Sequence, residues 1–324
     1  MKVFITGISG LLGSNCLQEL IKSNFEISAL VRENSIQKLS TEIISKINIV
    51  KGDLFDYFLL EKELKHFDIV IHCAAEISFN PQKKFMMHDV NVLGTQNIVN
   101  ACLKNNIKQL IHISSIAALG RNGTTKLIDE ETKWVDSEFN TNYAISKYNA
   151  DLEVWRGAEE GLNVTVLHPS VILGEHLKDR SSSKLFSYVM NENLFYTDGN
   201  LNYVDVKDVV KVIILSVNNK DAYNQSFILN GGAVSFKVFF ETVAKLFNKK
   251  APYIRVNRFI AELAWRIEFL KSIFTKKEPL VTKETARTSR TNYNYNNQKA
   301  CELFNFQFTD LNTTLNRVCK FYLN

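Results

Sequence analysis

Residues 2–15, "KVFITGISGLLGSN", put Gly7, Gly10 and Gly13 between a short apolar run and a stretch with helical periodicity. Few backbones satisfy such a junction. The run 2–6 reads as a buried strand and 11–23 as a helix, with the turn between them built from glycine. Gly7 permits the tight turn, and Gly10 a close approach of backbone to a bound group. Gly13 lets the helix pack against the strand, with Ser9, Leu11 and Leu12 completing the loop. The unpaired N–H groups of the helix N-terminus then face an anion, and a pyrophosphate is the group such a loop fits.

The rest of the first half repeats the same alternation. Strands are expected at 2–6, 26–31, 47–50, 68–74, 109–115 and 163–168, with helical patterns at 11–23, 57–66, 83–105 and 142–160. Near-continuous apolar strands separated by helices argue for a parallel sheet covered on both faces, the doubly wound arrangement. The rhythm breaks near residue 168. This divides the chain into a dinucleotide-binding domain, 1–167, and a smaller, mainly helical C-terminal substrate domain, 168–324. Residues 201–230 are expected to return to the first domain.

Composition excludes several classes. The 324 residues are 45% hydrophobic and 23% charged, with a formal charge of +5, which is an ordinary globular balance. The basic excess shows no aromatic-interleaved stripe, so no nucleic-acid partner is expected. Cys16, Cys73, Cys102, Cys301 and Cys319 form no C-x-x-C pair, and the six histidines lack ligand spacing. Reduced thiols, a cytoplasmic setting and no metal follow. The start "MKVFITG" carries no secretory pattern, and no uncharged apolar stretch is long enough to span a membrane. The amphipathic stretch 259–274 reads as a packed helix over a pocket, with a membrane-surface role as the alternative.

The strand-two tip decides the kind of dinucleotide. An acidic residue there would bind a ribose 2′-hydroxyl, but the sequence reads "LVREN", with Val31 and then Arg32. A guanidinium suits a 2′-phosphate, so NADP(H) is favoured over NAD(H). Glu33 keeps the ribose alternative open. Asp53, with Leu54 beside it, ends strand three, where it would accept from an adenine amino group or cap the next helix. Ala74 and Ala75 end strand four and leave room for the cofactor.

Tyr143 and Lys147 stand four apart on one helix, about 5–6 Å between Cβ atoms. The pair suits a solvated surface as well as a proton-transfer site. Bringing a tyrosine from a pKa of about 10 to near 7 or 8 needs roughly 3–4 kcal/mol. A unit charge about 4 Å away at an effective dielectric near 20 supplies on the order of 4 kcal/mol, so Lys147, helped by the positive nicotinamide of an oxidised cofactor, is expected to acidify Tyr143.

Together these motifs resemble the extended branch of the short-chain dehydrogenase/reductases, with a Rossmann domain, a TGxxGxxG turn at Thr6–Gly13 and a YxxxK pair at Tyr143 and Lys147. The strand-five serine of that branch corresponds to Ser115, chosen over Ser114 by its spacing to Gly120. "LVRE", "LIDEETKW" (127–134), "KEPLVTKETAR" (277–287) and "YNNQKACELFNF" (295–306) look most like the dihydroflavonol 4-reductase-like group. Ile116 and Ala117 replace the acidic pair of the sugar-nucleotide dehydratases, and His168 replaces an arginine or asparagine before the strand-six proline.

The resemblance implies Ser115, Tyr143 and Lys147 as catalytic residues, with Tyr143 and Lys147 also holding the cofactor and Pro169 and Ile172 beside the nicotinamide. The implied reaction is NADPH-dependent reduction of a small apolar or aromatic ketone or aldehyde. Alternatives are a nucleotide-sugar epimerase, a 3β-hydroxysteroid-dehydrogenase-like enzyme using NAD, and a redox sensor that binds dinucleotide without turnover. The assembly is left open between monomer and homodimer.

Overall fold

The computed structural model describes residues 1–37, 39–78, 80–121, 127–176, 182–257, 260–263, 265–268, 282–284 and 292–323. Ten strands organise it: β1 (Lys2–Thr6), β2 (Glu26–Val31), β3 (Asn48–Lys51), β4 (Ile69–His72), β5 (Gln109–Ile113), β6 (Val164–Pro169), β7 (Val171–Leu173), β8 (Asn200–Asp205), β9 (Gln225–Leu229) and β10 (Gly232–Ser235). Seven of them pair in parallel in the order β9-β6-β5-β4-β1-β2-β3. The order reverses direction at β1, so the crevice between the carboxyl ends of β1 and β4 is the topological switch point where such sheets bind ligands.

Helices cover both faces. They are α1 (Leu11–Lys22), α2 (Tyr57–Glu63), α3 (Gly94–Lys104), α4 (Asn142–Glu159), α5 (Ser183–Met190), α6 (Val206–Ser216), α7 (Phe236–Phe247), α8 (Gln298–Phe304) and α9 (Leu311–Leu323). Cys16, Leu17 and Leu20 of α1 share one core with Val209, Val212 and Ile213 of α6. On the opposite face Leu60, Ile98, Val99 and Val154, from α2, α3 and α4, pack on Phe4, Val70 and Leu110. Buried strands with apolar groups on both sides are what the near-continuous runs required.

Two expectations change. The strand at 200–205 does not join the seven-stranded sheet; it pairs with β7 and β10 in a separate three-stranded one. Within 201–230, α6 packs on α1, β9 pairs at the sheet edge, and Val204 of β8 is buried in the same core. Buried Phe227 of the edge strand β9 meets Phe304 of α8, ring centroids 5.0 Å apart, so C-terminal residues return to the first core. A third core joins α5, α7, α8's successor α9 and the small sheet through Phe186, Phe239, Tyr203 and Leu315.

The helical pattern 83–105 is also not uniform. A helix over Lys84–His88 runs into one π turn, Asp89–Leu93, before α3. Such turns occur most often near functional sites. The stretches 259–274 and 277–287 lie largely outside the described residues. Among the described residues no helix is long and apolar enough to cross a membrane.

Candidate active site

The glycine turn has the geometry its sequence demanded. Gly7 has φ +79°, and a Cβ there would lie 2.6 Å from the Ala74 nitrogen. A Cβ on Gly13 would overlap the Gly7 carbonyl. Gly10 begins α1 with no side-chain cap, and its own N–H turns back to the Gly7 carbonyl at 3.1 Å. The first N–H groups of α1 therefore have no side-chain cap. A Cβ at Gly10 would meet only the Gly7 carbonyl, at 3.4 Å, so the outer side of the turn is open. Ser9 and Gly10 are exposed, Leu11 is partly covered, and Leu12 and Gly13 are buried. This is a fit to a pyrophosphate.

At the far end of the crevice Arg32 is exposed, immediately after β2. Glu33 is drawn toward Lys51 of β3, 3.9 Å away. Asp53 is half-buried; one carboxylate oxygen accepts from the Phe55 N–H at 3.2 Å, while Asp56 caps α2. Asp53 therefore holds the turn and keeps a second oxygen for another donor. Leu54 is buried, with its carbonyl bonded by Asn97. Ala75 is exposed and Ala74 is partly covered, its N–H donating to Thr6 at 3.2 Å. Pro169 ends β6 beside Leu229, and Ile172 of β7 packs on the first core.

The C-terminal end of β5 gathers the polar groups of the site. Lys147 is 2% exposed and donates to the Ile113 carbonyl at 2.8 Å. Ser114 is occupied by Asp151, at 2.7 Å. Ser115 accepts from the Ala117 N–H at 3.1 Å and is hydrogen-bonded to Tyr143. The bond to Ser115 lowers the Tyr143 pKa, as donation from the serine hydroxyl to the phenol oxygen would. The structure thus brings Ser115, Tyr143 and Lys147 to one strand end, and assigns Ser114 a different partner.

The chain's own residues set the starting electrostatics of the pair. Tyr143 retains some surface, but burial of its hydroxyl pushes its pKa up to about 12, offset only in part by Ser115 and reinforced by Asp151. The chain's own residues therefore keep Tyr143 protonated near pH 7. Burial instead lowers Lys147 itself to about 8, against the raising influence of Asp151 and Cys73. The sign for folding follows from the unfolded chain holding this proton up to about pH 10.4. Between pH 8 and that value the unfolded state binds more protons, so stability rises with pH. Lys147→Met is expected to remove this rise, as measured by denaturant unfolding from pH 7.5 to 10.

Other residues carry the site without a sequence signal. Asn91, in the π turn, accepts from the Glu76 N–H at 2.8 Å and donates to Ser146 at 2.9 Å, tying the strand-four loop to α4. Thr6, His72 and His112 form one row across β1, β4 and β5. His72 bonds Thr6 at 2.7 Å and Thr95 at 3.1 Å, and burial holds it well below its ordinary pKa. Glu284 accepts from the Asn142 backbone at the start of α4, at 3.2 Å. Only the spacing of Asn91 and Thr95 on one helical face was available to sequence reading.

A glycine-lined switch-point crevice ending at a serine, a tyrosine and a buried lysine defines a nicotinamide-dinucleotide-binding enzyme site. The chain belongs to the NAD dependent epimerase/dehydratase family, whose model matches residues 3–231. It is thereby an NAD(P)-dependent enzyme acting on alcohol and carbonyl groups. It is 27% identical over 235 residues to cinnamoyl-CoA reductase 1 of Petunia hybrida, covering 68% of this chain and 70% of that protein. A Synechocystis sp. protein named for dihydroflavonol 4-reductase is 29% identical over 64% of this chain, and only 60% of its own length is matched. Sterol demethylase protein B of Methylococcus capsulatus is 23% identical over 90% of this chain and 86% of its own. In fold, the chain resembles the UDP-glucose 4-epimerase of Thermotoga maritima, with TM-score 0.80, 16% identity and coverage of 100% and 99%. The Bordetella bronchiseptica enzyme WbmG, solved with NAD, gives TM-score 0.75 at 19% identity, covering 99% and 94%.

Proposed function

We propose that this protein uses NADPH to reduce a ketone or aldehyde on a small apolar or aromatic molecule, in a substrate site formed mostly by residues 168–324. The observation that carries the reading is the Ser115–Tyr143 hydrogen bond, with Tyr143 held protonated near pH 7. A tyrosine with a pKa of about 12 is a poor base and retains its proton as an acid for a developing alkoxide. Ser115 donates to the same oxygen and offsets its charge. The reduced nicotinamide supplies the hydride. Lys147, held by Ile113 at the strand end, is in place to orient the nicotinamide ribose and stabilise negative charge nearby.

The direct test is oxidation of NADPH against benzaldehyde, cinnamaldehyde, cyclohexanone and a 3-ketosteroid. Turnover of one or more is expected; tight NADPH binding with no turnover of any would refute the reading. Sequence likeness to reductases such as that of Petunia supports the first three probes. A second reading, a 3β-hydroxysteroid-dehydrogenase-like enzyme, is favoured by the 90% span of the Methylococcus sterol match. Preference for NAD and oxidation of a 3β-hydroxysteroid would select it.

Cofactor choice rests on Arg32, exposed at the β2 tip while Glu33 faces Lys51. A charge-assisted bond to a 2′-phosphate contributes about 1.5–3 kcal/mol. Arg32→Ala is therefore expected to weaken NADPH by roughly 10- to 100-fold and NADH by under about threefold, read by fluorescence titration. Equal losses for the two cofactors would remove Arg32 from this role.

A further inference from the structure

The segment that leaves β7 reaches back to the glycine turn. Gly174 is buried, and a Cβ there would lie 2.5 Å from Val206 Cγ1 and 3.1 Å from Leu11 Cδ1. Leu11 begins α1, whose first N–H groups fit a pyrophosphate, so the segment borders the anion site. Three side chains of the C-terminal half hold residues 172–176. Ser182 donates to the Ile172 carbonyl at 2.5 Å, Arg317 donates to the Glu175 carboxylate, and Tyr322 donates to the His176 carbonyl at 3.0 Å.

Arg317, on α9, spreads its guanidinium between two carboxylates. One terminal nitrogen meets Glu175, and the other lies 2.5 and 2.6 Å from the two oxygens of Asp205. Asp205 ends β8, caps α6 through the Lys207 N–H at 2.8 Å and accepts from Thr314 at 2.9 Å. Its side chain is 2% exposed, so it offers Arg317 a fixed anchor. We propose that Arg317 is a positioning residue for the dinucleotide: by joining Glu175 to Asp205 it sets residues 172–176 as the wall that closes the crevice beside the glycine turn.

Charge and shape both call for an arginine here. Glu175 follows Gly174 next to the anion site, where a free carboxylate would repel a pyrophosphate. Arg317 offsets that charge and, through the same planar fork, decides where the segment sits. A lysine supplies the charge as a single point and cannot address both carboxylates in one plane. Arg317 acts through Glu175 and needs no contact with the cofactor. The role requires only that the crevice hold a dinucleotide, whichever reaction follows.

The test reads binding to the full chain, by fluorescence titration of NADPH and of NADH. Arg317→Lys should weaken both about tenfold, the effect of a misplaced wall. The two losses should match, because the pyrophosphate is common to both cofactors; Arg32→Ala, in contrast, selects against NADPH. Where a probe carbonyl is reduced, turnover of Arg317→Lys at saturating NADPH should change by under about threefold, which loss of fold would not allow. Arg317→Ala should bind more weakly still, and millimolar guanidinium should restore part of its affinity where urea at the same concentration does not. If Arg317→Ala fails to fold, Tyr322→Phe takes its place; it frees the His176 carbonyl and should weaken both cofactors about threefold. Arg255→Ala, which breaks the exposed pair with Asp198, is the control and should leave both affinities unchanged. Unchanged binding by Arg317→Lys, or a loss confined to NADPH, would overturn the role. These readings are of binding, so a chain that reduced no carbonyl would refute the reductase reading and leave this test standing.

Discussion

Tyr143→Phe is expected to lower turnover about 1,000-fold while the chain folds normally and binds NADPH with affinity changed by less than about twofold. A factor of that size corresponds to about 4 kcal/mol in the barrier, within what a positioned general acid contributes. The pKa of about 12 matters here. It means that the residue enters the reaction protonated, so phenylalanine removes the proton donor and leaves ring packing in place. Folding should lose only about 1 kcal/mol, the net worth of the bond to Ser115. Steady-state and single-turnover measurements with the same probe carbonyl would separate chemistry from binding. Turnover within tenfold of the unaltered chain would take Tyr143 out of the proton-transfer step.

Gly13→Ala is expected to unfold or severely loosen the cofactor site. The added Cβ meets backbone on one side, the Gly7 carbonyl, and the Ile8 Cα at 3.0 Å on the other. Backbone cannot rotate away as a side chain can. Either α1 lifts off β1 or the turn opens, at a cost of about 3 kcal/mol, the upper range for overpacking. Dinucleotide affinity should fall at least about 100-fold, because the N–H groups of α1 lose their aim. Gly161→Ala is the control. Gly161 has φ +100° but nothing within 4 Å of its Cβ position, so it loses only about 1 kcal/mol through backbone conformation and leaves binding unchanged. Thermal unfolding and isothermal titration of both variants would check the contrast. Similar behaviour of the two would mean that contact with the Gly7 carbonyl is not what requires glycine at position 13.

Much of the arrangement was legible in the sequence because it depends on short-range pattern. Apolar runs marked β1 to β6, and the interval of four put Tyr143 and Lys147 on one face of α4. Glycine was needed at positions 7 and 13 for reasons of backbone shape and contact that any folded version of this turn imposes.

Tertiary structure decided what depends on distant neighbours. Strand β8 had the apolar character of a sheet member, but its register with β7 and β10 placed it in another sheet. The Thr6–His72–His112 row exists only through cross-strand pairing, and Asp151 acquires meaning only beside Ser114 and His168. Burial, which raises the tyrosine and lowers the lysine, could not be read from their spacing either. The physical reason is common to all of them. Periodicity along a chain fixes which way a side chain points on its own element, while the dielectric and partners it meets are set by segments tens of residues away.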